Sequence, residues 1–472
     1  MALLHSPHSI MDDLARFHDV IGQLSRLKTY THVLLCFPMP DGISRDCVVK
    51  ALETAALKLT TAFPWLTSNV INEGSGPGNS GVFKLAPCSL FAAPNTPVRV
   101  KDCSDVCVSY AEIIQTRGPF PILDGRILGP VKAFPEIYEE SESDPAPVIS
   151  IQANFIQGGL LLDTAAQHNF IDGGGLFHCM RLFAKAMRGE EFSDLEIQQG
   201  NRDRRNLIPL LRPNEPMLDH SHLRRPALSE DQSQQQSAAT SSPLAEWFCF
   251  RFPAPKLAQL KVLANNDVSR GGSDPLIPFV SANDALSAFC WKRVSAVRLR
   301  RRQRPDDFTK FSRALDARRA MQIPKEYMGQ MGYNASCRLT FRELEKASLG
   351  AVASILRWTV KSVNNEYSVR SWVTFIANEP DKSTIMFGGS FNPDTDMGLS
   401  SLVHAELHSA AFGILGKPEL VRRPNFTPLE SCVYFWSQTE AGDIDVLMCL
   451  NEADVQALKM DQEWKEYTEF IG

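Results

Sequence analysis

The chain has 472 residues, which is more than one hydrophobic core usually accommodates, so we expect two domains. Hydrophobic residues make up 44% of it, charged residues 22%, and the net charge is -5. This composition is ordinary for a soluble globular protein, and it argues against a nucleic-acid partner, which a basic domain would indicate.

Cysteine usage and apolar runs indicate the compartment. The 11 cysteines are scattered and form no Cys-x-x-Cys pair, so the sequence predicts neither a metal site nor a disulfide framework and favours a reducing compartment. The N-terminus lacks the basic and apolar segments of a signal peptide, and no apolar run approaches the ~18 residues of a membrane span. We therefore expect a cytosolic protein without a membrane partner.

The first half of the chain mixes predicted strands and helices. A strand over 30–37 precedes an amphipathic helix over 47–63, and strands over 148–155 and 159–166 flank a glycine turn. Between this helix and the strand over 148–155, residues 76–81 have the Gly-x-Gly-x-x-Gly spacing of a dinucleotide-binding loop. A strand-like segment follows this loop instead of the helix that would hold a pyrophosphate, so we interpret it as a hairpin turn.

A histidine and an aspartate follow the last of these strands. His168 and Asp172 precede three glycines, Gly173 to Gly175, and a helix is expected after the glycine loop. With 10 histidines in the chain, about 0.04 accidental copies of His-x-x-x-Asp-Gly are expected. A neutral imidazole can accept a proton from an alcohol and return it to a leaving group. Asp172 could orient the ring or pair with a distant arginine, and the bland alternative for His168 is a buried histidine in a glycine-rich turn.

The second half begins after a change in composition. Residues 226–244 are rich in Ser and Gln and are predicted to form a linker, which separates domains over 1–225 and 245–472. The predicted elements beyond the linker are a strand over 247–252, a helix over 281–297 with a capping box from Ser281 and Asp284, a hairpin of 433–436 with 444–449, and a helix over 452–469. Two basic runs, 202–205 and 298–304, are interpreted as solvent-exposed faces.

The His168 motif and its surroundings resemble the BAHD superfamily of CoA-dependent acyltransferases, specifically the fungal branch typified by trichothecene 3-O-acetyltransferase. The resemblance spans nearly the whole chain. Besides the motif it includes the segments 27–31, 63–66, 70–74, 152–156, 281–289, 316–319, 416–424 and 463–464. It implies an α/β fold of two similar chloramphenicol-acetyltransferase-like domains, each a mixed sheet flanked by helices, with an active-site channel between them.

The resemblance also implies roles for individual residues. His168 is the expected general base, and Asp172 is expected to shape the loop by pairing with an arginine. Cys179 keeps the interpretation of a buried thiol, because no covalent acyl-enzyme is needed. Gly173, Gly174, Arg318 and Arg319 are candidates for contacting the co-substrate, although an ion pair from Arg318 to Asp172 or Asp316 is an equal alternative.

One signature of the family is altered here. The family's Asp-Phe-Gly-Trp-Gly appears as Ala411-Phe412-Gly413-Ile414-Leu415-Gly416, without the Asp and the Trp. The family places an oxyanion-stabilising Thr or Ser eleven residues earlier, which corresponds to Ser400, and Leu402 replaces a tryptophan that is common two residues later. Ser400 is thus a candidate oxyanion donor, with an ordinary loop serine as the alternative.

These residues predict a function. We expect an O-acyltransferase, with acetyl-CoA as the expected co-substrate and no permanently bound cofactor, that acts as a cytosolic monomer on a hydroxyl of a terpenoid, polyketide or alkaloid. One rival is a condensation-type enzyme that uses carrier-bound acyl groups, although such enzymes usually have a second histidine where this chain has Gln167. Another is a repurposed member that catalyses cyclisation or elimination or that binds a metabolite.

Overall fold

A computed structural model describes residues 13–91, 93–134, 136–141, 143–225, 245–270 and 277–472. The predicted linker, 226–244, lies outside the described residues. The strands are β1 Tyr30–Pro38, β2 Asn69–Gly76, β3 Asn79–Ala86, β4 Val98–Asp102, β5 Ile149–Ile156, β6 Gly159–Gln167, β7 Ala245–Phe252, β8 Phe308–Asp316, β9 Gly332–Thr340, β10 Met397–Ser401, β11 Leu420–Arg422, β12 Cys432–Phe435, β13 Ile444–Asn451 and β14 Glu469–Phe470.

The α-helices connect these strands and cover the sheets. They are α1 Arg45–Ala62, α2 Tyr110–Thr116, α3 Gly125–Leu128, α4 Gly173–Met187, α5 Asp194–Gly200, α6 Ala254–Arg270, α7 Ala282–Arg302, α8 Phe341–Lys346, α9 Leu349–Val363, α10 Glu366–Ala377, α11 Glu452–Met460 and α12 Gln462–Tyr467. Within the ranges described above, no helix combines the length and the apolar character needed to cross a membrane.

Two mixed sheets form the framework, as the predicted two-domain α/β fold requires. The first has the strand order β11-β1-β6-β5-β4, and the second has the order β14-β7-β13-β12-β10-β8-β9. In the first sheet β1 pairs antiparallel with β6 along its whole length, with Tyr30 opposite Gln167, so the strand that leads to His168 is held from end to end. A separate hairpin of β2 and β3 contains the Gly-x-Gly-x-x-Gly sequence of residues 76–81, as predicted.

The two halves of the chain do not each build their own sheet. β11 belongs to the second half of the sequence but pairs with β1, with Val421 opposite Leu35. The largest core cluster likewise combines residues of both halves, such as Phe183 on α4 and Phe412. Because the halves share a sheet and a core, their interface is a permanent part of the fold and can support a site.

Local sequence explains where most of the helices begin. The Ser44 side chain accepts a hydrogen bond from the Cys47 N–H at the start of α1, and Ser281 and Asp284 form the predicted capping box at the start of α7. The predicted helix over 452–469 was wrong in its extent. Asp461 ends α11 and caps α12, and residues 469–470 form an edge strand that pairs with β7.

The interpretation of both basic runs as solvent-exposed faces was also wrong in part. Arg298 is completely buried and pairs with Asp454, with 3.0 Å between Nε and Oδ2. Arg204 is 2% exposed, and its guanidinium carbon lies 4.4 Å from the centroid of the Trp65 ring. Their neighbours Arg205 and Arg300 do face solvent. Single arginines within a run of charged residues are therefore part of the buried core, while their neighbours face solvent.

Candidate active site

The predicted motif lies where β6 ends and α4 begins. The main-chain N–H of His168 donates to the Thr29 carbonyl at 2.8 Å, which continues the β1–β6 pairing by one residue. Asp172 is the N-cap of α4, and its Oδ1 accepts from the Gly175 N–H at 2.8 Å. The glycines are thus the first turn of the helix and not a loop in front of it.

Gly175 shows why a glycine is needed in this turn. A Cβ atom added to it would lie 2.2 Å from the carbonyl oxygen of Met328. The first turn of α4 is therefore in direct contact with residues 327–331, which we call the 327–331 segment. This segment comes from the second half of the chain, so the motif lies at the interface between the two halves.

Asp172 forms an ion pair with Arg318, and both side chains are buried. Its Oδ1 and Oδ2 each lie 2.8 Å from a guanidinium nitrogen, and Oδ2 also accepts from the Met331 N–H at 2.9 Å. This bidentate contact fixes the orientation of the carboxylate plane relative to the guanidinium plane. Both oxygens of Asp172 are engaged by these donors, which supports the loop-shaping role that the resemblance implied.

Arg318 donates its hydrogen bonds to other residues of the fold. Besides Asp172, it binds Asp316 at 3.0 Å and donates to the carbonyls of Tyr327 and Gly329 at 2.9 to 3.1 Å. In the structure Arg318 therefore forms the ion pair that was the alternative to a co-substrate contact, and it does so with both Asp172 and Asp316. With its five N–H groups engaged, Arg318 has none to offer a co-substrate phosphate.

The His168 ring contacts a residue that the sequence did not single out. The amide nitrogen of Gln330, on the 327–331 segment, lies 2.9 Å from His168 Nδ1 and also donates to the His168 main-chain carbonyl. Gln330 is 2% exposed, whereas His168 is half-buried. Nothing in the local sequence marks Gln330, because its 162-residue separation from His168 leaves no spacing pattern.

Burial determines the charge state of His168. It lowers the pKa of the imidazole below its usual 6.5, while the hydrogen bond to the main-chain carbonyl and the nearby Asp172 charge raise it in part. The ring is therefore neutral at neutral pH. A neutral, half-buried imidazole at an interface between two domains can remove a proton from a bound hydroxyl group.

Other candidate residues surround the motif. Gly173 is half-buried and Gly174 is exposed on the first turn of α4, and Leu402 lies 4.0 Å from where a Cβ of Gly173 would be. Ser400 is half-buried on β10, opposite Tyr434. Arg319 is exposed. The roles of these four candidates, Gly173, Gly174, Ser400 and Arg319, stay predictions.

Two neighbouring side chains bear on the rival interpretations. Gln167, where a condensation enzyme would have a histidine, is buried and exchanges hydrogen bonds with Asn169, so it holds the loop in shape. Burial raises the pKa of the Cys179 thiol to about 12, which leaves it protonated and unsuited to act as a nucleophile.

The altered signature segment at Ala411 is held to the end of α4 by a hydrogen bond to its main chain. Arg188, at the end of α4, donates to the main-chain carbonyl of Ala411 at 2.5 Å. Its remaining donors bind both oxygens of Glu190, at 2.7 and 2.9 Å. This arginine therefore has a carboxylate partner without an aspartate at position 411, and the signature segment remains attached to α4.

Sequence comparison relates the chain to a known group of enzymes. A family model described as trichothecene 3-O-acetyltransferase-like N-terminal domain matches residues 29–187, and one described as Transferase family matches residues 132–465. The chain is 50% identical to O-acyltransferase pigD of Monascus ruber over 98% of its own length and 100% of that protein's. It is 47% identical to O-acetyltransferase epaC of Aspergillus niger over 98% of both chains.

Structural comparison agrees. The crystal structure of TRI101 from F. graminearum complexed with Coenzyme A and T-2 mycotoxin superposes with a TM-score of 0.87, at 32% identity, and the match covers 96% of this chain and 99% of that one. Vinorine synthase, at 15% identity and a TM-score of 0.64, shares the fold over 95% of this chain and 92% of its own.

Proposed function

The chain belongs to the Transferase family, with a trichothecene 3-O-acetyltransferase-like N-terminal domain, and on that premise we propose that it transfers an acyl group from acyl-CoA to a hydroxyl of a secondary metabolite. The observation that carries the proposal is the His168 ring. Burial keeps this half-buried imidazole neutral at the interface between the two halves of the chain, so it is able to accept a proton.

The reaction follows from these positions. The imidazole of His168 takes the proton of the acceptor hydroxyl while the hydroxyl oxygen attacks the thioester carbonyl carbon. The resulting tetrahedral oxyanion needs a hydrogen-bond donor, and we assign that role to the Ser400 hydroxyl. When the carbon–sulfur bond breaks, the imidazolium returns the proton to the CoA thiolate, so His168 is regenerated and no acyl-enzyme forms.

The activities for which the relatives are named support the choice of substrates. O-acetyltransferase epaC suggests an acetyl group, and the TRI101 complex places Coenzyme A and a mycotoxin together in one related protein. For this chain we propose acetyl-CoA as donor and a fungal terpenoid, polyketide or alkaloid alcohol as acceptor. Gly173, Gly174 and the exposed Arg319 are proposed to contact the CoA. We propose that the protein works as a cytosolic monomer, in keeping with its eleven free cysteines.

A turnover assay tests the proposal. The protein is incubated with acetyl-CoA and a panel of metabolite alcohols, free thiol is followed with a chromogenic disulfide, and products are identified by a mass increase of one acetyl group. Replacing His168 with alanine should lower kcat by roughly 10² to 10⁴-fold, since it removes the general base.

The control is His222→Ala, because His222 is exposed and belongs to no part of the proposed site. It should keep full turnover. Unchanged turnover in His168→Ala would overturn the general-base role. Use of a carrier-protein thioester in preference to acetyl-CoA would favour a condensation reaction, and metabolite binding without any thioester consumption would favour a repurposed binding protein.

A further inference from the structure

We propose that a small cavity beside the catalytic loop, residues 168–172, binds one water molecule. The water joins Asp19, Arg204 and Tyr327 and thereby helps to hold the loop in place. The water site itself does not depend on the proposed function, and only its effect on turnover rests on that function. The site can therefore be tested whether or not acyl transfer is confirmed.

The cavity lies where the N-terminal segment of the chain meets its second half. Its lining includes Asp19, Arg204, Tyr327 and Gln330. The cavity volume is about 10 Å³, which is close to the space that one water molecule needs and too small for an organic ligand. Arg205 lines both this cavity and a wider depression at the surface, so water has a route into the site.

Three of the lining residues have buried polar atoms without a hydrogen-bond partner in the described part of the chain. These atoms are Oδ2 of Asp19, Nε and Nη2 of Arg204, and the hydroxyl of Tyr327. Arg204 is 2% exposed and Tyr327 is 1% exposed, so bulk solvent does not hydrate these two side chains. Folded proteins rarely leave such groups unpaired, because each one would carry its full cost of desolvation.

The chemistry of these atoms favours water as the ligand. A carboxylate oxygen accepts, guanidinium N–H groups donate, and a phenolic hydroxyl does either. A water molecule can donate to Asp19 and accept from Arg204 at the same time, and a buried water typically forms about three hydrogen bonds. A chloride ion could only accept, and a metal cation would be repelled by the Arg204 charge. Either ion would leave part of the site unpaired.

Two of these side chains also anchor the catalytic loop. Nη1 of Arg204 donates to the Phe170 carbonyl at 2.8 Å. Oδ1 of Asp19 accepts from the Gly22 N–H at 2.6 Å, and the Gly22 carbonyl accepts from the Asn169 side chain at 2.5 Å. The water therefore joins the supports of the two residues that follow the catalytic histidine.

Tyr327 connects the site to the second half of the chain. Its ring centroid lies 5.6 Å from the guanidinium carbon of Arg204. It also begins the 327–331 segment, in which Gln330 contacts His168. A water held by Tyr327 and Arg204 thus fixes this segment against the catalytic loop, and Tyr327 is assigned as a positioning residue.

A high-resolution crystal structure of the wild-type protein tests the site directly. It should show one ordered water within hydrogen-bond distance of Asp19 Oδ2 and of an N–H group of Arg204. A direct hydrogen bond between Asp19 and Arg204 with no water between them, or a cavity without an ordered water, would overturn the proposal.

Tyr327→Phe tests the site in solution. If the hydroxyl binds the water, the variant loses a hydrogen bond, and the midpoint of unfolding in urea should fall. If the hydroxyl has no partner, the variant is relieved of an unpaired buried group, and the midpoint should stay or rise. A midpoint that does not fall would therefore contradict the proposed contact between Tyr327 and the water.

Turnover shows whether the site positions the catalytic loop. Tyr327→Phe should lower kcat about 3-fold to 10-fold with little change in the KM of either substrate, because the substrates still bind while His168 is held less firmly. An unchanged kcat would overturn the positioning role.

The matched control is Tyr333→Phe. Tyr333 is also a buried tyrosine, but its hydroxyl donates to the Val363 carbonyl at 2.9 Å, at the end of α9. This variant should lower the urea midpoint and leave kcat unchanged, and an equal fall of kcat in both variants would count against a positioning role for Tyr327. If the wild type transfers no acyl group, the proposed function fails, while the crystal structure and the urea midpoints still decide the water site.

Discussion

Burial of His168 sets the pH range in which it can act as a base. Its pKa lies below 6.5 because desolvation outweighs the favourable effects of the main-chain hydrogen bond and Asp172. The base must be neutral, so activity should be constant above this pKa and fall as the pH drops through it. The acid limb of the kcat/KM profile should have its midpoint below 6.5, and a midpoint above that value would contradict the burial argument.

Ser400 can be distinguished from its neighbour on the same strand. If its hydroxyl stabilises the oxyanion, Ser400→Ala should lower kcat about 10²-fold to 10³-fold with little effect on KM. Ser401→Ala is the matched control, because the Ser401 hydroxyl accepts from Asn283 at 2.8 Å and is occupied by the fold. Steady-state kinetics of both variants decide the matter. Equal effects at the two positions would leave Ser400 as an ordinary serine.

At the scale of elements, the Asp172–Arg318 pair joins the start of α4 to the segment before β9. Asp172→Asn leaves the Arg318 charge buried with a weaker partner, and breaking such a pair typically costs 3 to 5 kcal/mol, so we expect a loss of about that size in the free energy of unfolding in urea. Asp316 binds the same guanidinium, but its side chain is 55% exposed. Asp316→Asn should therefore cost about 1 kcal/mol or less, and equal losses would contradict this account.

Elements whose causes are local could be predicted from the sequence. β1, the hairpin of β12 with β13, and the capping box at Ser281 each follow from side chains within a few residues, and all three are present. The His168 motif was found for the same reason. The long helix over 452–469 failed because the Asp461 side chain competes for main-chain N–H groups, and hydrophobic periodicity does not register that competition.

What could not be predicted depends on contacts between distant residues. Gln330 meets His168 across 162 residues, and β11 joins a sheet whose other strands all precede residue 168. Arg298 and Arg204 are buried although their charge suggested exposure, because Asp454 pairs with Arg298 and the Trp65 ring packs against Arg204. A single sequence carries no record of such pairings, so the His168 motif could be predicted and its contact with Gln330 could not.

For the whole molecule, the shared β11 strand predicts that the two sheets unfold together. Arg422 on β11 is 1% exposed, and its Nη1 lies 2.9 Å from Oδ2 of Asp445 on β13, so one buried ion pair connects the sheets. We expect native-state hydrogen exchange to give one common opening free energy for β1 and β13. Two well-separated values in the wild type would mean that the sheets are independent.

Removing this connection should uncouple them. Arg422→Met leaves Asp445 without one of its two arginine partners, and we expect a loss of about 3 to 5 kcal/mol in the free energy of unfolding, which appears first in the exchange of β1 because β11 then pairs less firmly with β1. Arg251→Met is the control, since Arg251 also binds Asp445, with 2.7 Å between Nε and Oδ1, but joins two strands of the second sheet. It should destabilise β7 and β13 while β1 keeps its protection. If both variants affected β1 and β13 alike, Asp445 would matter to the fold as a whole and the connection through β11 would have no separate effect.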